Sequence, residues 1–345
     1  MKQNINWGII GLGNIAFKFA EAFKNVNNAK LVAISSRNIK KLENFQQSFK
    51  IQSKNCFKEY QNLLNCERVD AVYIALPNSL HYEWIVKCIE KEKSVLVEKP
   101  AVLNSFEIEK IKEKLLDNKF FFAEGFMYRH HPQVLKMIEI INKKEIGNLI
   151  SMESSFGINL LTKKNIFGFK KIKKINETSR IYNKKLGGGA ILDLGCYPTS
   201  ISILIASLIK NIDHKKINIL NKIKQIGSSE VDIDSSAEIL FDNNFKSYVE
   251  ASFTKNLGTK TKIIGDKGEL ILENSWNANL GVIKIKKKKE YSINVSSKNN
   301  IFSHQIENIS SSIMKNKIEA EYPSMSLADT VLNTKILDEW LNNEK

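Results

Sequence analysis

A glycine-rich turn near the start of the chain has the composition of a phosphate-binding site. Positions 11–16 read GLGNIA, a G-x-G-x-x-A pattern that follows a predicted strand and opens a predicted helix. Gly11 permits a tight turn, Gly13 lets the backbone approach a pyrophosphate, and Ala16 allows close packing of helix on strand. The first helical amides, at Asn14 and Ile15, would donate to the anion. The pattern predicts a dinucleotide bound at Gly11, Gly13, Asn14 and Ile15.

The second predicted strand ends in Ser35, Ser36 and Arg37, about 20 residues beyond the glycines. A domain selective for NAD carries Asp or Glu at this point, where the carboxylate bonds the ribose 2′-hydroxyl. This chain offers a hydroxyl and a guanidinium, which suit a 2′-phosphate. We therefore predict that Ser36 and Arg37 bind the cofactor, and that NADP is preferred although NAD is possible. The alternative is a surface arginine at a strand end.

Short apolar runs that alternate with helical stretches position these residues. The chain of 345 residues is long enough for two domains. In its first part, strands are predicted at 6–10, 31–35, 71–76, 94–97 and 120–123, with helices at 15–25, 39–49, 80–90 and 106–115. Strands that alternate with helices predict a parallel sheet covered on both faces. Residues 1–125 are therefore predicted to be the dinucleotide-binding domain.

The pattern changes after residue 125. A helix around 133–141 is followed by a long lysine-rich stretch, a glycine triplet at 187–189 and an apolar helix. Several strand-like runs separated by turn residues then predict an open, largely antiparallel sheet between about 217 and 295. Helices at about 302–314 and 327–341 close the chain. The predicted fold class is α/β, with residues 126–345 forming a second, α+β domain.

The charge and composition exclude several classes of protein. The formal net charge is +15, from 52 basic and 37 acidic residues, yet only four of the basic residues are arginines. Proteins that read nucleic acids depend on arginine for bidentate contacts, so we interpret the lysine runs at 170–174 and 284–289 as solvated residues and expect no nucleic acid. No apolar run reaches the ~18 residues of a membrane span. Four cysteines without C-x-x-C spacing indicate no metal and no disulfide. We expect a cytoplasmic protein with no membrane partner.

Three further motifs point to one family. Positions 75–81 read ALPNSLH, positions 97–100 read VEKP, and positions 187–198 read GGGAILDLGCYP. Together with the N-terminal glycines, and in this order, they resemble the Gfo/Idh/MocA oxidoreductases over essentially the whole chain. Many members carry histidine where this chain has Tyr197. The tyrosine, with EGFMYR at 124–129, is more similar to the branch of dimeric dihydrodiol dehydrogenase, xylose dehydrogenase and glucose–fructose oxidoreductase.

The resemblance implies an architecture for both domains. It implies a Rossmann domain followed by a domain whose open sheet serves as a subunit interface, so we expect a homodimer or homotetramer formed through that sheet. It also implies that the last helix, at about 327–341, packs back on the Rossmann domain. An apolar stripe of Leu327, Val331, Ile336 and Trp340 agrees with this expectation.

The resemblance also implies which side chains surround the cofactor. It places the loop that contains Leu76, Pro77, Asn78 and His81 against the cofactor. It places Glu98 near the nicotinamide ribose, beside Lys99. A role as a cap or first-turn residue of the following helix is the alternative for His81.

Three more residues are candidates for substrate contact. Arg129 and His131 are expected to line the substrate pocket, and Arg180 precedes the glycine triplet. The alternative for His131 is a packed histidine bonded to the backbone. The alternative for Arg180 is an anchor for its own loop.

Three residues are expected to perform the chemistry. Asp193 and Tyr197 are four positions apart and share one face of a predicted helix. Lys99 ends a strand in the other domain, so the three can converge only in an interdomain cleft. We expect Tyr197 to be the acid/base, Lys99 to favour its ionised form and stabilise the alkoxide, and Asp193 to orient Lys99 or the substrate.

The sequence therefore predicts an NAD(P)-dependent oxidoreductase. Hydride would pass between the nicotinamide and a hydroxyl or carbonyl carbon of a small-molecule sugar, polyol or diol. One alternative is a redox-neutral enzyme that converts sugars with tightly bound NADP. Another is a non-catalytic sensor of nicotinamide nucleotides, which has no need to retain Lys99, Asp193 and Tyr197.

Overall fold

The computed structural model describes residues 3–118, 120–164, 170–172, 179–242, 244–276, 280–297 and 299–342. Positions 173 and 174 of the lysine run at 170–174 lie outside the described residues. The chain divides into two compact units. The first unit comprises Met1–His131 and Lys298–Val331, and the second comprises Pro132–Ser297 and Leu332–Lys345.

Both units contain helices, and most of them lie in the predicted segments, whereas α3 was not predicted. Those in the described residues are α1 Asn14–Ala22, α2 Ile39–Phe49, α3 Tyr60–Leu64, α4 His81–Glu90, α5 Ser105–Asn118, α6 Pro132–Asn142, α7 Cys196–Ala206, α8 Ile301–Met314 and α9 Leu327–Leu341. The last of these is shared between the units, since the division falls between Val331 and Leu332.

The first unit contains a six-stranded parallel sheet. Its strands are β1 Ile5–Ile10, β2 Ala29–Ser35, β3 Cys56–Phe57, β4 Ala71–Ile74, β5 Ser94–Val97 and β6 Phe122–Glu124, in the spatial order β3-β2-β1-β4-β5-β6. The order reverses beside β1, and ligands of such sheets bind at the carboxyl ends of the strands near this reversal.

Both faces of this sheet are buried, which explains the unbroken apolar runs. Val72 and Ile74 of β4 pack on one face with Trp84 and Ile85 of α4. On the other face, Tyr73 stacks on Phe19 of α1 with ring centroids 3.8 Å apart. The predicted parallel sheet with helices on both faces is confirmed.

The second unit contains an eight-stranded mixed sheet. Its strands are β7 Leu149–Gly157, β10 Ile217–Ile226, β11 Asp232–Phe241, β12 Phe245–Ser252, β13 Thr261–Gly265, β14 Gly268–Leu272, β15 Leu280–Lys286 and β16 Glu290–Ser296, while β8 Thr162–Lys164 and β9 Lys170–Ile172 pair separately. All neighbours in the large sheet are antiparallel except β7 and β12. The predicted α/β class with a second, largely antiparallel sheet is confirmed.

An apolar helix crosses the core of the second unit. The segment Lys184–Ala206 is long and apolar enough to span a membrane by composition alone, but its most apolar window is 94% buried inside the protein. Every residue of α7 is buried. We therefore interpret it as a core helix.

Candidate active site

The glycine turn after β1 combines one crowded position with one open position. Gly11 has φ +89°, and a Cβ there would lie 2.6 Å from the carbonyl oxygen of Ala75. A Cβ on Gly13 would meet nothing within 4 Å. Gly13 immediately precedes α1, whose first amides have no partner within the helix. The turn therefore forms a cradle that can admit a phosphate group at a helix N-terminus.

Ser36 and Arg37 directly follow the end of β2. Ser36 is buried, and its hydroxyl oxygen accepts a hydrogen bond from the Asn38 amide at 3.1 Å. Arg37 is exposed, and its guanidinium carbon lies 5.1 Å from the centre of the Tyr60 ring. The aromatic face restrains the guanidinium at the point where NAD-selective domains carry a carboxylate.

The loops that follow β4 and β5 are tied together by a histidine. His81 begins α4 and is fully buried. Its Nε2 lies 2.9 Å from the carbonyl oxygen of Leu76, and its Nδ1 lies 2.9 Å from the carbonyl oxygen of Pro100. Asn78 is buried between these loops, and Pro77 is half-buried. The ring of His81 therefore contacts the backbone on both sides.

A tyrosine that the sequence analysis missed anchors Glu98. The hydroxyl of Tyr73 donates a short hydrogen bond to Oε1 of Glu98. Because Tyr73 is fully buried in β4 and stacked on Phe19, its hydroxyl is fixed. A single tyrosine in an otherwise aliphatic strand was the available signal, since a buried phenol needs a polar partner.

A second missed residue, Glu124, ends β6 and lies close to Lys99. Its side chain is 3% exposed, and Oε1 accepts a hydrogen bond from the Ala101 amide at 2.9 Å. Burial raises the pKa of Glu124 to about 7, against the opposing effects of the Ala101 amide, Thr330, Arg129 and Lys99. Lys99 itself is half-buried. The signal for Glu124 was a lone carboxylate at the end of an apolar strand.

Arg129 and His131 have partners inside the first unit. Arg129 is fully buried, and its Nη1 donates to Oδ2 of Asp329 at 2.9 Å and to the carbonyl oxygen of Pro323 at 3.3 Å. His131 is 3% exposed and packs edge-on against His304, and burial lowers its pKa to about 4. These contacts give both residues structural partners, and a contact of either residue with the substrate stays a prediction.

The glycine triplet of the second unit is shaped by Asp232. Gly189 has φ +119°, and a Cβ there would lie 2.2 Å from Oδ1 of Asp232. The other oxygen of this buried carboxylate accepts a hydrogen bond from the Ile191 amide at 2.7 Å. Asp232 therefore fixes the first turn of the helix that follows. No local pattern could have found it, because it lies 41 residues beyond Ile191.

The helix that carries Asp193 and Tyr197 is not regular. Asp193 lies in a π-helical turn, Ile191–Gly195, and the α-helix begins only at Cys196. Turns of this kind are frequent at functional sites. Nη1 of Arg180 lies 2.9 Å from Oδ1 of Asp193, and the arginine side chain is 50% exposed. The predicted regular helix over Asp193 is therefore replaced by a wider turn.

Tyr197 is held in an aromatic enclosure of the second unit. Its ring lies 5.4 Å from that of Phe156, edge to face, and 5.4 Å from that of Trp276. The side chain is only 6% exposed. The two rings fix the plane of the phenol, so that its hydroxyl has few orientations.

Comparisons with known proteins cover both units. Residues 5–126 match the model of an oxidoreductase family with an NAD-binding Rossmann fold, and residues 134–271 match the GFO/IDH/MocA C-terminal domain. A trans-1,2-dihydrobenzene-1,2-diol dehydrogenase of Xenopus tropicalis is 23% identical over 344 residues, which are 97% of this chain and 96% of the relative. A D-xylose 1-dehydrogenase (NADP(+)) of Hypocrea jecorina is 29% identical over 204 residues, or 56% of this chain and 51% of the relative.

A solved structure shows the same fold. The crystal structure of a 3-ketoreductase from Actinomadura kijaniata, in complex with NADP and TDP-benzene, superposes with a TM-score of 0.81 at 22% identity, covering 97% of this chain and 96% of the reductase. The matching relatives are dehydrogenases and reductases of sugars and diols, which supports an oxidoreductase that acts on CH–OH groups. With the family models matched in both halves, the chain belongs to the Gfo/Idh/MocA family of NAD(P)-binding oxidoreductases.

Proposed function

We propose that the protein is an NADP-dependent dehydrogenase or reductase of a sugar, polyol or diol. The observation that carries this proposal is the open cradle at Gly13, together with the exposed Arg37 two residues beyond the end of the neighbouring strand β2. The cradle suits a pyrophosphate, and Arg37 suits a ribose 2′-phosphate. Two relatives support the choice, since the xylose dehydrogenase is named for NADP(+) and the 3-ketoreductase crystal contains NADP.

The remaining cofactor residues would face the nicotinamide half. When bound, the nicotinamide supplies or accepts the hydride. We assign Leu76, Pro77 and Asn78 to the wall beside it, and Glu98 to a hydroxyl of its ribose. Because Tyr73 donates to Glu98, that carboxylate is already oriented before any ligand arrives. His81 supports the same loops through their backbone carbonyls and is assigned no direct contact.

We assign the proton transfer to the hydroxyl oxygen of Tyr197. Oxidation of an alcohol requires a base to take the hydroxyl proton as hydride leaves the carbon, and reduction requires the reverse. The rings of Phe156 and Trp276 keep the phenol in one orientation. We assign Lys99 as the cation that favours the ionised phenol and stabilises the alkoxide, because an ammonium favours a neighbouring anion.

Asp193 is assigned as a positioning residue of the same site. Its carboxylate is ion-paired with Arg180, which restricts both side chains. The π-helical turn places Asp193 one turn before Tyr197. We propose that the pair orients the substrate hydroxyls, with the half-exposed Arg180 as the group that contacts them.

A substrate screen tests the proposed function. The purified enzyme is assayed for NADP⁺ reduction and NADPH oxidation against aldoses, polyols, diols and dicarbonyls, with NAD⁺ and NADH in parallel. Net turnover of NADP(H) with a member of one of these classes supports the proposal. Cofactor that copurifies with the protein, with substrate converted but no net change in NADPH, would instead indicate the redox-neutral enzyme. Cofactor binding without conversion of any substrate class would indicate the sensor.

The assembly of the protein is a separate proposal. We propose a homodimer or homotetramer formed through the large sheet of the second unit, as the family resemblance implies. One face of that sheet carries ion pairs such as Lys262 with Glu269 and Lys284 with Glu273, each at 2.9 Å. Light scattering after size-exclusion chromatography measures the mass directly, and a monomer would contradict the proposal. A cytoplasmic location stays a prediction.

A further inference from the structure

One peptide group beside Lys99 is held at both ends by buried side chains. This is the peptide that joins Pro100 to Ala101. Its carbonyl oxygen lies 2.9 Å from Nδ1 of His81, and its amide donates to Oε1 of Glu124 at 2.9 Å. His81 is fully buried, Glu124 is 3% exposed and Ala101 is fully buried. The peptide is the second one after Lys99, since the Lys99–Pro100 peptide lies between.

The two contacts approach the peptide from different elements. His81 is the first residue of α4, and Glu124 is the last residue of β6. The carbonyl and the amide of a peptide point in opposite directions, so the two side chains grip opposite edges of one plane. With the proton of His81 on Nδ1, the Pro100 carbonyl accepts one hydrogen bond and the Ala101 amide donates another, so the plane is held at both edges.

Both side chains are polar groups placed where water does not reach. Burial of such groups is unfavourable unless hydrogen bonds compensate for the lost hydration. Several charged or polar groups lie around the Glu124 carboxylate. These are Lys99 from the loop after β5, Arg129 from the turn after β6 and the hydroxyl of Thr330 from α9. Next to Glu124 in the chain, a Cβ on Gly125 would lie 3.6 Å from Oε1 of Glu98.

We propose that His81 and Glu124 are positioning residues for Lys99, which act by clamping the Pro100–Ala101 peptide. The clamp fixes the backbone from which the Lys99 side chain projects, and the Glu124 carboxylate also acts on the Lys99 ammonium through its charge. This inference rests on the proposed function only where it concerns catalysis by Lys99. The effect of Glu124 on the reactivity of the Lys99 amine can be measured without any substrate.

The charge can be separated from the hydrogen bond by two substitutions. Glu124→Gln keeps an oxygen that can accept from the Ala101 amide but removes the charge. Glu124→Ala removes both. Glu107→Ala is the matched control, because Glu107 also accepts a backbone amide in the first unit, from Leu103 at 3.0 Å, but lies at the start of α5.

The first measurement is competitive labelling of lysines in the substrate-free protein with acetic anhydride, read by mass spectrometry. Only the neutral amine reacts. Lys40, which is exposed in the first turn of α2, serves as the internal reference. At pH 8.5, above the pKa of about 7 of Glu124, we expect Glu124→Gln to label Lys99 faster than the unmodified protein. The increase should be about threefold or more, which corresponds to half a pKa unit of the amine.

At pH 6, below the pKa of about 7 of Glu124, most of its carboxyl is protonated, so Glu124→Gln should label Lys99 at a rate close to that of the unmodified protein. Glu124→Ala should change the rate at both pH values, because the peptide plane is released, and Glu107→Ala should change it at neither. Equal Lys99 labelling in all proteins at both pH values would overturn the proposal, whether or not Lys99 is catalytic. If Glu124→Ala does not fold, the comparison of Glu124→Gln at the two pH values decides alone.

The second measurement links the clamp to turnover. We expect Glu124→Ala and His81→Ala to lower kcat about tenfold or more while the KM of the sugar substrate changes about twofold or less, as for loss of a positioned acid–base system. Glu107→Ala should leave both unchanged. If Lys99→Ala retains normal kcat, the proposed function fails, but the labelling result still stands. If Lys99→Ala is inactive and Glu124→Ala has normal kcat, the clamp proposal is wrong.

Discussion

The guanidinium of Arg180 lies 2.9 Å from the carboxylate of Asp193, in the second unit. The two side chains differ in exposure, since Arg180 is 50% exposed and Asp193 is 14% exposed. The ion pair therefore has a buried end in the π-helical turn and an accessible end. Arg180, which we expected to contact the substrate, is therefore also anchored by Asp193.

Removal of the Arg180 guanidinium is expected to impair substrate use more than stability. An ion pair with so exposed a partner contributes about 1 kcal/mol or less to folding. Arg180→Ala should raise the KM of the sugar substrate about tenfold, because one charged or hydrogen-bonded contact contributes roughly 1.5 kcal/mol to binding. Steady-state kinetics and thermal unfolding measure the two effects.

Lys246→Ala is the control for Arg180→Ala. Lys246 is 52% exposed and pairs with Glu238 at 2.9 Å in the same unit, so it matches Arg180 as an exposed cation of an ion pair. Its loss should leave KM and kcat unchanged. An Arg180→Ala enzyme with an unaltered KM would remove Arg180 from the substrate site.

The two glycines of the first turn should respond in opposite ways to alanine. Gly11→Ala should abolish or strongly destabilise the fold, since φ is +89° and the new methyl would meet the Ala75 carbonyl at 2.6 Å. Gly13→Ala should fold normally, because its methyl projects into open space. We expect it to weaken NADPH binding, measured by the nicotinamide fluorescence, while the melting temperature is retained. Gly13→Ala with unchanged NADPH affinity would mean that the cradle holds no phosphate.

Cofactor preference should depend on Arg37. The unmodified enzyme should have a higher kcat/KM with NADP than with NAD. Arg37→Ser should lower kcat/KM for NADP by about tenfold or more, because a charge-assisted hydrogen bond contributes roughly 1.5–3 kcal/mol. Arg68→Ser is the control, since Arg68 is an arginine of the same unit whose Nη1 faces only Gln52 at 3.5 Å among the contacts described. An unmodified enzyme that uses NAD equally well or better would contradict the assignment.

Much of the fold could be predicted because it is encoded in local patterns. Apolar runs such as Ala71–Ile74 mark buried parallel strands, and the G-x-G-x-x-A turn marks the first strand-to-helix junction. The positions of Gly11 and Gly13 follow from the same short segment. The sequence alone therefore predicts the fold class, which the structure confirms, and the glycine turn, whose role in phosphate binding stays a prediction.

The partners of the site residues could not be predicted, because they are distant in the chain. Tyr73 meets Glu98 across 25 positions, Ala101 meets Glu124 across 23, and Arg129 meets Asp329 across 200. No periodicity records such pairs, which depend on how strands and helices are stacked. The π-helical turn at Asp193 was not predicted either, because the spacing of Asp193 and Tyr197 also fits a regular helix.

Arg129 should behave as a structural residue. It is fully buried and paired with Asp329, which is only 20% exposed. Arg129→Leu should destabilise the protein by about 2–4 kcal/mol, toward the lower part of the range for broken buried pairs because Asp329 retains some contact with water. Denaturant unfolding measures this change. If Arg129→Leu has normal stability and a greatly raised substrate KM, Arg129 contacts the substrate instead.

The central claim is that the hydroxyl of Tyr197 carries the proton, and Tyr197→Phe tests it most directly. The substitution keeps the ring between Phe156 and Trp276 and removes one oxygen. The account predicts that NADPH affinity is retained while kcat falls by about 10²–10⁴-fold across the pH range. Tyr182→Phe is the control, because Tyr182 is a buried tyrosine of the same unit that packs edge-on against Phe253, and it should keep normal kcat. A Tyr197→Phe enzyme with near-normal kcat at every pH would contradict the account.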